Sequence, residues 1–281
     1  MSLSEKEIHK LMKKTYTYPL PNDPNIQSKI YKKREFYYHK TPFREKLNTY
    51  DEIKKYRDDV CGGDSFALFN HQAILTNLMN PDTPYKGVLV FHGVGTGKTC
   101  GAIGVAEKFK DQVKKYNTKI HILVSGPNIR ENWKNEIIHC TNETYLKEYQ
   151  SNDIYNPTED EKIKKNAINI AMQYYKIMSY RKFTRKVLGD KIVYRRKVTE
   201  DDKIKKTYRK NEDGKIERDT AVDKIHNLNN TLLIVDEAHH LTGNDSGEAV
   251  RKIIHESENI KVLLLTATPM KNTADEIIEL L

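Results

Sequence analysis

Residues 88–109, reading VLVFHGVGTGKTCGAIGVAEKF, constrain this chain more than any other stretch. Four apolar residues, Val88-Leu89-Val90-Phe91, predict a buried strand, and the Ala, Ile, Val and Lys pattern beyond Thr99 predicts a helix. A Gly-rich turn joins them. Gly93, Gly95 and Gly97, with Val94 and Thr96 between, let the backbone fold tightly enough for successive N–H groups and the helix start to surround a phosphate. Lys98 supplies a mobile charge for the outer phosphates, and the Thr99 hydroxyl supplies a ligand for Mg2+. An ordinary strand–helix turn has no use for this set in this order, so a nucleoside triphosphate site is the expectation. The strict phosphate-loop pattern asks for Gly where His92 stands.

Composition narrows the class. The 281 residues hold one large or two modest domains with a sizeable core. No apolar run approaches the length of a membrane span, and the polar start MSLSEKEIHK has no signal-peptide pattern. These features predict an intracellular chain, neither secreted nor membrane-bound. A net charge of +9 favours polyanionic partners. Cys61, Cys100 and Cys140 are far apart and form no CxxC, which predicts a reducing compartment with neither a disulfide framework nor a zinc site.

Residues 1–62 read as a basic, aromatic extension outside the core. Tyr16, Tyr18, Tyr31, Tyr37 and Tyr38 are mixed with Lys32, Lys33, Arg34, Lys40 and Arg44, and Pro19, Pro21, Pro24 and Pro42 break up long elements. Such a stretch either stacks on bases while neutralising phosphates or packs its tyrosines against the main domain. Cys61-Gly62-Gly63-Asp64 is the expected hinge into a domain over 63–281. A helix is expected from Phe69 through Leu78, ended by Asn80-Pro81. Within it, Gln72 stands 26 residues before Lys98. Its amide both donates and accepts, as an adenine edge requires, although an exposed helical Gln reads the same way.

Further strands are expected at 120–124, 174–178, 232–235 and 262–265, with helical segments between. The first of these leads into Pro127, Asn128 and a helix bearing Trp133 and Glu136. The pattern predicts an α/β fold with a mostly parallel sheet flanked by helices, and a ligand at the carboxyl ends of its strands. Residues about 183–226 break the pattern. From Arg181 to Lys210 there are 13 Lys or Arg against four acids, an excess matching that of the whole chain. A strand-like Lys191-Ile192-Val193-Tyr194 and a turn at Asn211–Lys215 predict an inserted basic β-hairpin. Its Arg195, Arg196 and Lys197 either touch nucleic acid or stand in solvent.

Asp236-Glu237-Ala238-His239 closes the 232–235 strand. An Asp there can hold magnesium while the next Glu orients and deprotonates the attacking water. Thr266 and Thr268 place two hydroxyls at the end of the last strand, where they could contact the acid-bearing loop. In this order the motifs resemble the first RecA-like domain of superfamily-two helicases and translocases, over about residues 65–281. Gln72 matches the adenine position, Gly95–Thr99 the phosphate loop in the variant that relaxes the His92 position, and Pro127–Glu136 motif one-a. Asp236–His239 matches the DEAH box and Thr266–Thr268 motif three. Asn132-Trp133-Lys134-Asn135-Glu136, Ser179-Tyr180 and Thr268-Pro269-Met270-Lys271-Asn272 are similar to the Snf2 branch. They are especially similar to the poxvirus-type nucleoside triphosphate phosphohydrolases and early transcription factor ATPases of large DNA viruses.

The resemblance implies a RecA-like fold that uses ATP and Mg2+. Lys98, Asp236 and Glu237 would carry catalysis, the Gly93–Thr99 loop with Gln72 would bind nucleotide, and His239, Thr266 and Thr268 would couple. Pro127, Asn128 and Tyr180 would face nucleic acid, DNA more than RNA. The implied activity is ATP-driven movement along that strand, with polymerase or transcription-factor subunits as partners, in the cytoplasm or a virion. The family completes its site with arginine fingers from a second RecA-like domain, worth about 10³ to 10⁵ in rate. That domain lies outside this chain, so the chain is expected to bind nucleotide and turn it over slowly. Two rival classes fit less well. A metabolic or signalling P-loop enzyme has no reason for Pro127, Trp133 and the paired threonines in register. A non-catalytic scaffold or remodelling subunit needs neither Lys98 nor Glu237.

Overall fold

The apolar runs become the strands of one sheet. In a computed structural model of the chain, the described residues are 18–39, 46–61, 67–142, 144–146, 160–192, 194–198, 204–208, 218–220 and 224–268. The helices before the phosphate loop are α1 (Ile26–Tyr31), α2 (Arg34–Tyr37), α3 (Tyr50–Cys61) and α4 (Asn70–Leu78). Then come β1 (Gly87–Phe91), α5 (Lys98–Glu107), α6 (Lys110–Tyr116), β2 (Ile120–Val124), α7 (Pro127–Cys140) and α8 (Asp160–Ala171). After β3 (Tyr175–Ser179) and α9 (Tyr180–Leu188) the inserted strands follow, β4 (Asp190–Ile192), β5 (Tyr194–Val198), β6 (Ile204–Tyr208) and β7 (Arg218–Thr220). The chain continues through β8 (Leu232–Asp236), a 3-10 turn (Ala238–Leu241), α10 (Asp245–Glu256) and β9 (Lys261–Thr266).

The main sheet has the order β1-β9-β8-β2-β3. Its β3–β2, β2–β8 and β8–β9 pairs are parallel. The His92 amide, just past β1, donates to the Thr266 carbonyl at the end of β9 (3.2 Å), so the carboxyl ends of these two strands also lie together. The late strands β8 and β9 are inserted between β1 and β2, and such a reversal of strand order opens a crevice at the carboxyl edge.

The residues group into two compact units, one from 1–88, 94–112 and 133–173, the other from 89–93, 113–132 and 174–281. In the second unit, Leu123, Met178, Leu233, Val235 and Val262 on the sheet pack with Phe183 and Val187 of α9 and with Val250 and Ile253 of α10. Each such side chain, when fully buried, contributes about 1.5–3 kcal/mol. In the first unit, Trp133, Ile137, Phe109, Tyr145 and Ile103 are buried.

Of the two readings of the N-terminal extension, its contacts fit the one that packs tyrosines on the main domain, and within 18–39 Phe36 is fully buried. Tyr18 meets Phe36 and Tyr85 edge-on, the Tyr85 hydroxyl donates to the Pro19 carbonyl (3.0 Å), and Asn77 Nδ2 donates to the Glu35 carbonyl (2.7 Å). Aromatic area removed from water thus fixes a segment whose composition is polar. Cys100 and Cys140, expected as free thiols, form a disulfide with Cα atoms 5.3 Å apart, joining α5 to α7 within the first unit. A separation of 40 residues carries no pairing signal, because only the lie of the two helices brings the sulfurs together.

The basic insertion holds two antiparallel pairs, β4 with β7 and β5 with β6. Val198 pairs with Ile204 at the close of the β5–β6 ladder, upstream of the turn expected at Asn211–Lys215. That stretch, the 62–66 hinge region and Pro269 onward lie outside the described residues.

His121, in the middle of the sheet, is 6% exposed, and its Nδ1 has no hydrogen-bond partner. Burial first, then the charges of Lys176 and Lys119, push its pKa from 6.5 down to about 3. Because the folded state resists the proton, His121 costs nothing in charge above pH 6.5, and stability is lost as pH falls from there toward 3. The loss is about 1.4 kcal/mol per pH unit. Urea melts should show His121→Leu gaining about 2 kcal/mol over wild type at pH 5 relative to the same comparison at pH 7. An equal difference at both pH values would remove His121 from the acid sensitivity.

Candidate functional site

The loop between β1 and α5 depends on two glycines. Gly95 and Gly97 have φ of 80° and 73°, a left-handed backbone that side chains disfavour. At Gly97 there is a second reason, since a Cβ would stand 2.4 Å from Gln72 Nε2. Gly97 caps α5, whose first turn carries Lys98 and Thr99, so the positive end of the helix dipole lies where those two side chains start. Residues Gly93–Thr96 are exposed, Val94 to 90%. The glycine conformations, the helix start and the hydroxyl and ammonium beside it suit a polyphosphate with its magnesium, held by Lys98 and Thr99.

Helix α4 fastens this loop from one side. Gln72 Nε2 donates to the Gly97 carbonyl (2.9 Å), while Gln72 Oε1 accepts from the Phe69 amide (2.8 Å). His71 Nε2 lies 3.1 Å from the Thr96 carbonyl, and its ring stacks on Phe69. Gln72 is 3% exposed. Its amide therefore grips the Gly-rich loop and its own helix start, and reading an adenine edge would require it to give up one of these bonds. The neighbouring Phe69, 46% exposed, presents an aromatic surface at the same helix end. His71 and Phe69 had no pattern in the sequence to single them out.

The acid pair sits in the second unit. β8 ends at Asp236, and Glu237 follows with φ 55° and ψ 56°, a left-handed conformation uncommon for a residue with a side chain. His239 Nδ1 lies 3.3 Å from Glu237 Oε2, 3.1 Å from Thr266 Oγ1 and 3.3 Å from Thr268 Oγ1. Thr266 and Thr268 also join each other, as the Thr268 amide donates to Thr266 Oγ1 (3.1 Å). One imidazole nitrogen thus connects the acid loop to the end of β9. A ring held among a carboxylate and two hydroxyls can follow a change at Glu237 and pass it to Thr266.

Pro127 and Asn128 begin α7 just past β2 and are exposed. Tyr180, grouped with them in the sequence, is placed differently. It is 8% exposed, and its hydroxyl donates to the Asp236 carbonyl at 2.5 Å. Burial, then the negative charges of Asp236 and Glu237, raise its pKa far above the ordinary tyrosine range, which keeps the hydroxyl a donor. An open cleft of about 1000 Å³ lies beside it, where Arg181, Thr184 and Arg185 of α9 face Ser246, Glu248 and Lys252 of α10. Arg195, Arg196 and Lys197 lie on β5, opposite Thr207, Lys206 and Lys205.

The comparisons agree with this architecture. The family model described as "Type III restriction enzyme, res subunit" matches residues 65–271. A protein of Acanthamoeba polyphaga mimivirus that carries the name of an ATP-dependent RNA helicase is 54% identical over 99% of this chain. One of Invertebrate iridescent virus 3, named as a helicase, is 32% identical over 85% of it. The early transcription factor 70 kDa subunit of Melanoplus sanguinipes entomopoxvirus is 25% identical over 76% of it. The chain spans 24%, 22% and 25% of those three proteins, so it corresponds to about a quarter of each. With residues 65–271 matched and a parallel sheet flanked by helices, the chain belongs to the type III restriction enzyme res subunit family and contains a first RecA-like domain of the superfamily-two helicase type.

Proposed function

We propose that this chain is the nucleotide-binding half of an ATP-dependent nucleic-acid translocase, acting on DNA more than RNA, in the transcription apparatus of a large DNA virus. The observation that supports it best is the His239 contact set, which links a carboxylate suited to hydrolysis to two hydroxyls at a strand end. A simple phosphate-transfer enzyme has no use for such a link. In the first unit Lys98 would neutralise the outer phosphates of a nucleotide and Thr99 would offer an oxygen to magnesium; in the second, Asp236 would offer an oxygen to magnesium and Glu237 would accept the proton of an attacking water. When bound, magnesium would supply positive charge against the negative charge of the phosphates. The name of the entomopoxvirus relative supports the transcription setting.

Calorimetric titration of this chain with ATP and magnesium tests the nucleotide half of the reading. Lys98→Ala removes a charged contact from a loop without opening the core. It should weaken binding about ten- to hundredfold while the melting curve stays the same. Unchanged affinity would remove the phosphate role of Lys98.

The basic hairpin supports the polyanion half. Its register sets Arg196 opposite Lys206 and Lys197 opposite Lys205, and residues 181–210 carry 13 Lys or Arg against four acids, an excess that attracts a polyanion. About six duplex phosphate contacts give a log-log salt slope near −5. Replacing residues 193–217 with a short Gly/Ser link keeps β4 and β7 and should flatten that slope by most of its value. Affinity should fall alike for all sequences, because phosphate contacts position a protein without reading bases. The same slope after replacement would make the hairpin a protein-binding or solvated element.

A further inference from the structure

Tyr180 belongs to two structures at once. Its hydroxyl donates to the Asp236 carbonyl and lies 3.4 Å from the Glu237 carbonyl, so it touches the backbone of both acids. It is also the first residue of α9, the helix whose Arg181, Thr184 and Arg185 line the open cleft against α10. Ser179 caps that helix start by accepting from the Lys182 amide, and Thr184 Oγ1 donates to Ser246 Oγ of α10 at 3.1 Å. The backbone that Tyr180 holds is the left-handed Glu237, a conformation that persists only where its surroundings impose it. Tyr180, Phe183 and Val187 share the buried face of α9, so the Tyr180 ring is packed as one piece with the helix.

We infer that Tyr180 is a positioning residue that couples occupation of the α9–α10 cleft to the placement of Glu237. The cleft presents Arg181, Arg185 and Lys252 among its lining groups, with Asp245 and Glu248 toward α10, and its cations fit a phosphodiester backbone. A strand bound there presses on α9, α9 moves the Tyr180 hydroxyl, and the hydroxyl sets the Asp236–Glu237 peptide. From Glu237 the change reaches His239 and, through it, Thr266 and Thr268. This rests on the reading of the chain as part of a nucleic-acid-responsive ATPase, and it adds the route by which the response travels.

Tyr180→Phe in the full-length protein is the test, because it removes one oxygen and keeps the ring. The expected result is an ATP KM and a nucleic-acid Kd within about twofold of wild type, together with an about tenfold lower kcat at saturating DNA or RNA. The ratio of the saturated to the nucleic-acid-free rate should fall as well. Arg181→Ala with Arg185→Ala should behave differently, weakening nucleic-acid binding about tenfold but recovering kcat at saturation. A Tyr180→Phe protein with the wild-type ratio overturns the coupling, and so does an equal fall in both rates. A wild-type protein whose hydrolysis ignores DNA and RNA overturns this inference and the proposed function together. If only the arginine pair behaves as wild type, the cleft is not where the strand lies, and the route fails at its first step.

Discussion

Glu237→Gln in the full-length protein is expected to leave ATP binding near wild type and to lower nucleic-acid-stimulated turnover about 10²- to 10⁴-fold, the range contributed by a general base. The amide has the size of the carboxylate and its oxygen can still accept from His239 Nδ1, 3.3 Å from the present Glu237 Oε2, so the contact set survives. What it lacks is a site for the water's proton. Phosphate release measured beside calorimetric ATP binding on one preparation separates the two effects. Wild-type release by this variant would take Glu237 out of the chemistry, and loss of both binding and release would mean that the residue serves the fold.

Gly97→Ala is expected to lower ATP affinity by about a hundredfold or more, as two costs fall on one position. An alanine at φ 73° is strained by about 1–2 kcal/mol, and its Cβ would lie 2.4 Å from Gln72 Nε2. The α4 helix must then let go of the loop it fastens, which leaves the Gly97 carbonyl and the Phe69 amide to find new partners. Gly95→Ala isolates the backbone term, because its φ is 80° but nothing lies within 4 Å of the added carbon. Titrations should therefore rank wild type first, Gly95→Ala next and Gly97→Ala last. Equal losses at the two positions would assign the effect to backbone strain alone and leave no role for Gln72.

The main elements were legible in the sequence because each rests on local physics. The runs at 120–124 and 232–235 match β2 and β8 to within a residue, since a strand covered on both faces needs an unbroken apolar stretch. The helix through Gln72 was legible from its apolar period and the proline after it. The basic hairpin was legible as a strand-like charged insertion. The turn expected at Asn211–Lys215 lies outside the described residues.

The sequence by itself determined that a glycine loop with Lys98 and Thr99 follows a buried strand, and that Asp236 and Glu237 end another. Those are consequences of residue type and spacing along a few consecutive positions. Only the tertiary structure decided that β9 lies between β1 and β8, that Phe36 joins a core, and that Cys100 meets Cys140. It alone turned the Gln72 amide to Gly97 and the Tyr180 hydroxyl to Asp236. Each of these joins residues 25 or more positions apart. A hydrogen bond or a sulfur bridge between distant residues is set by which faces pack together, and one chain read in order contains no term for that.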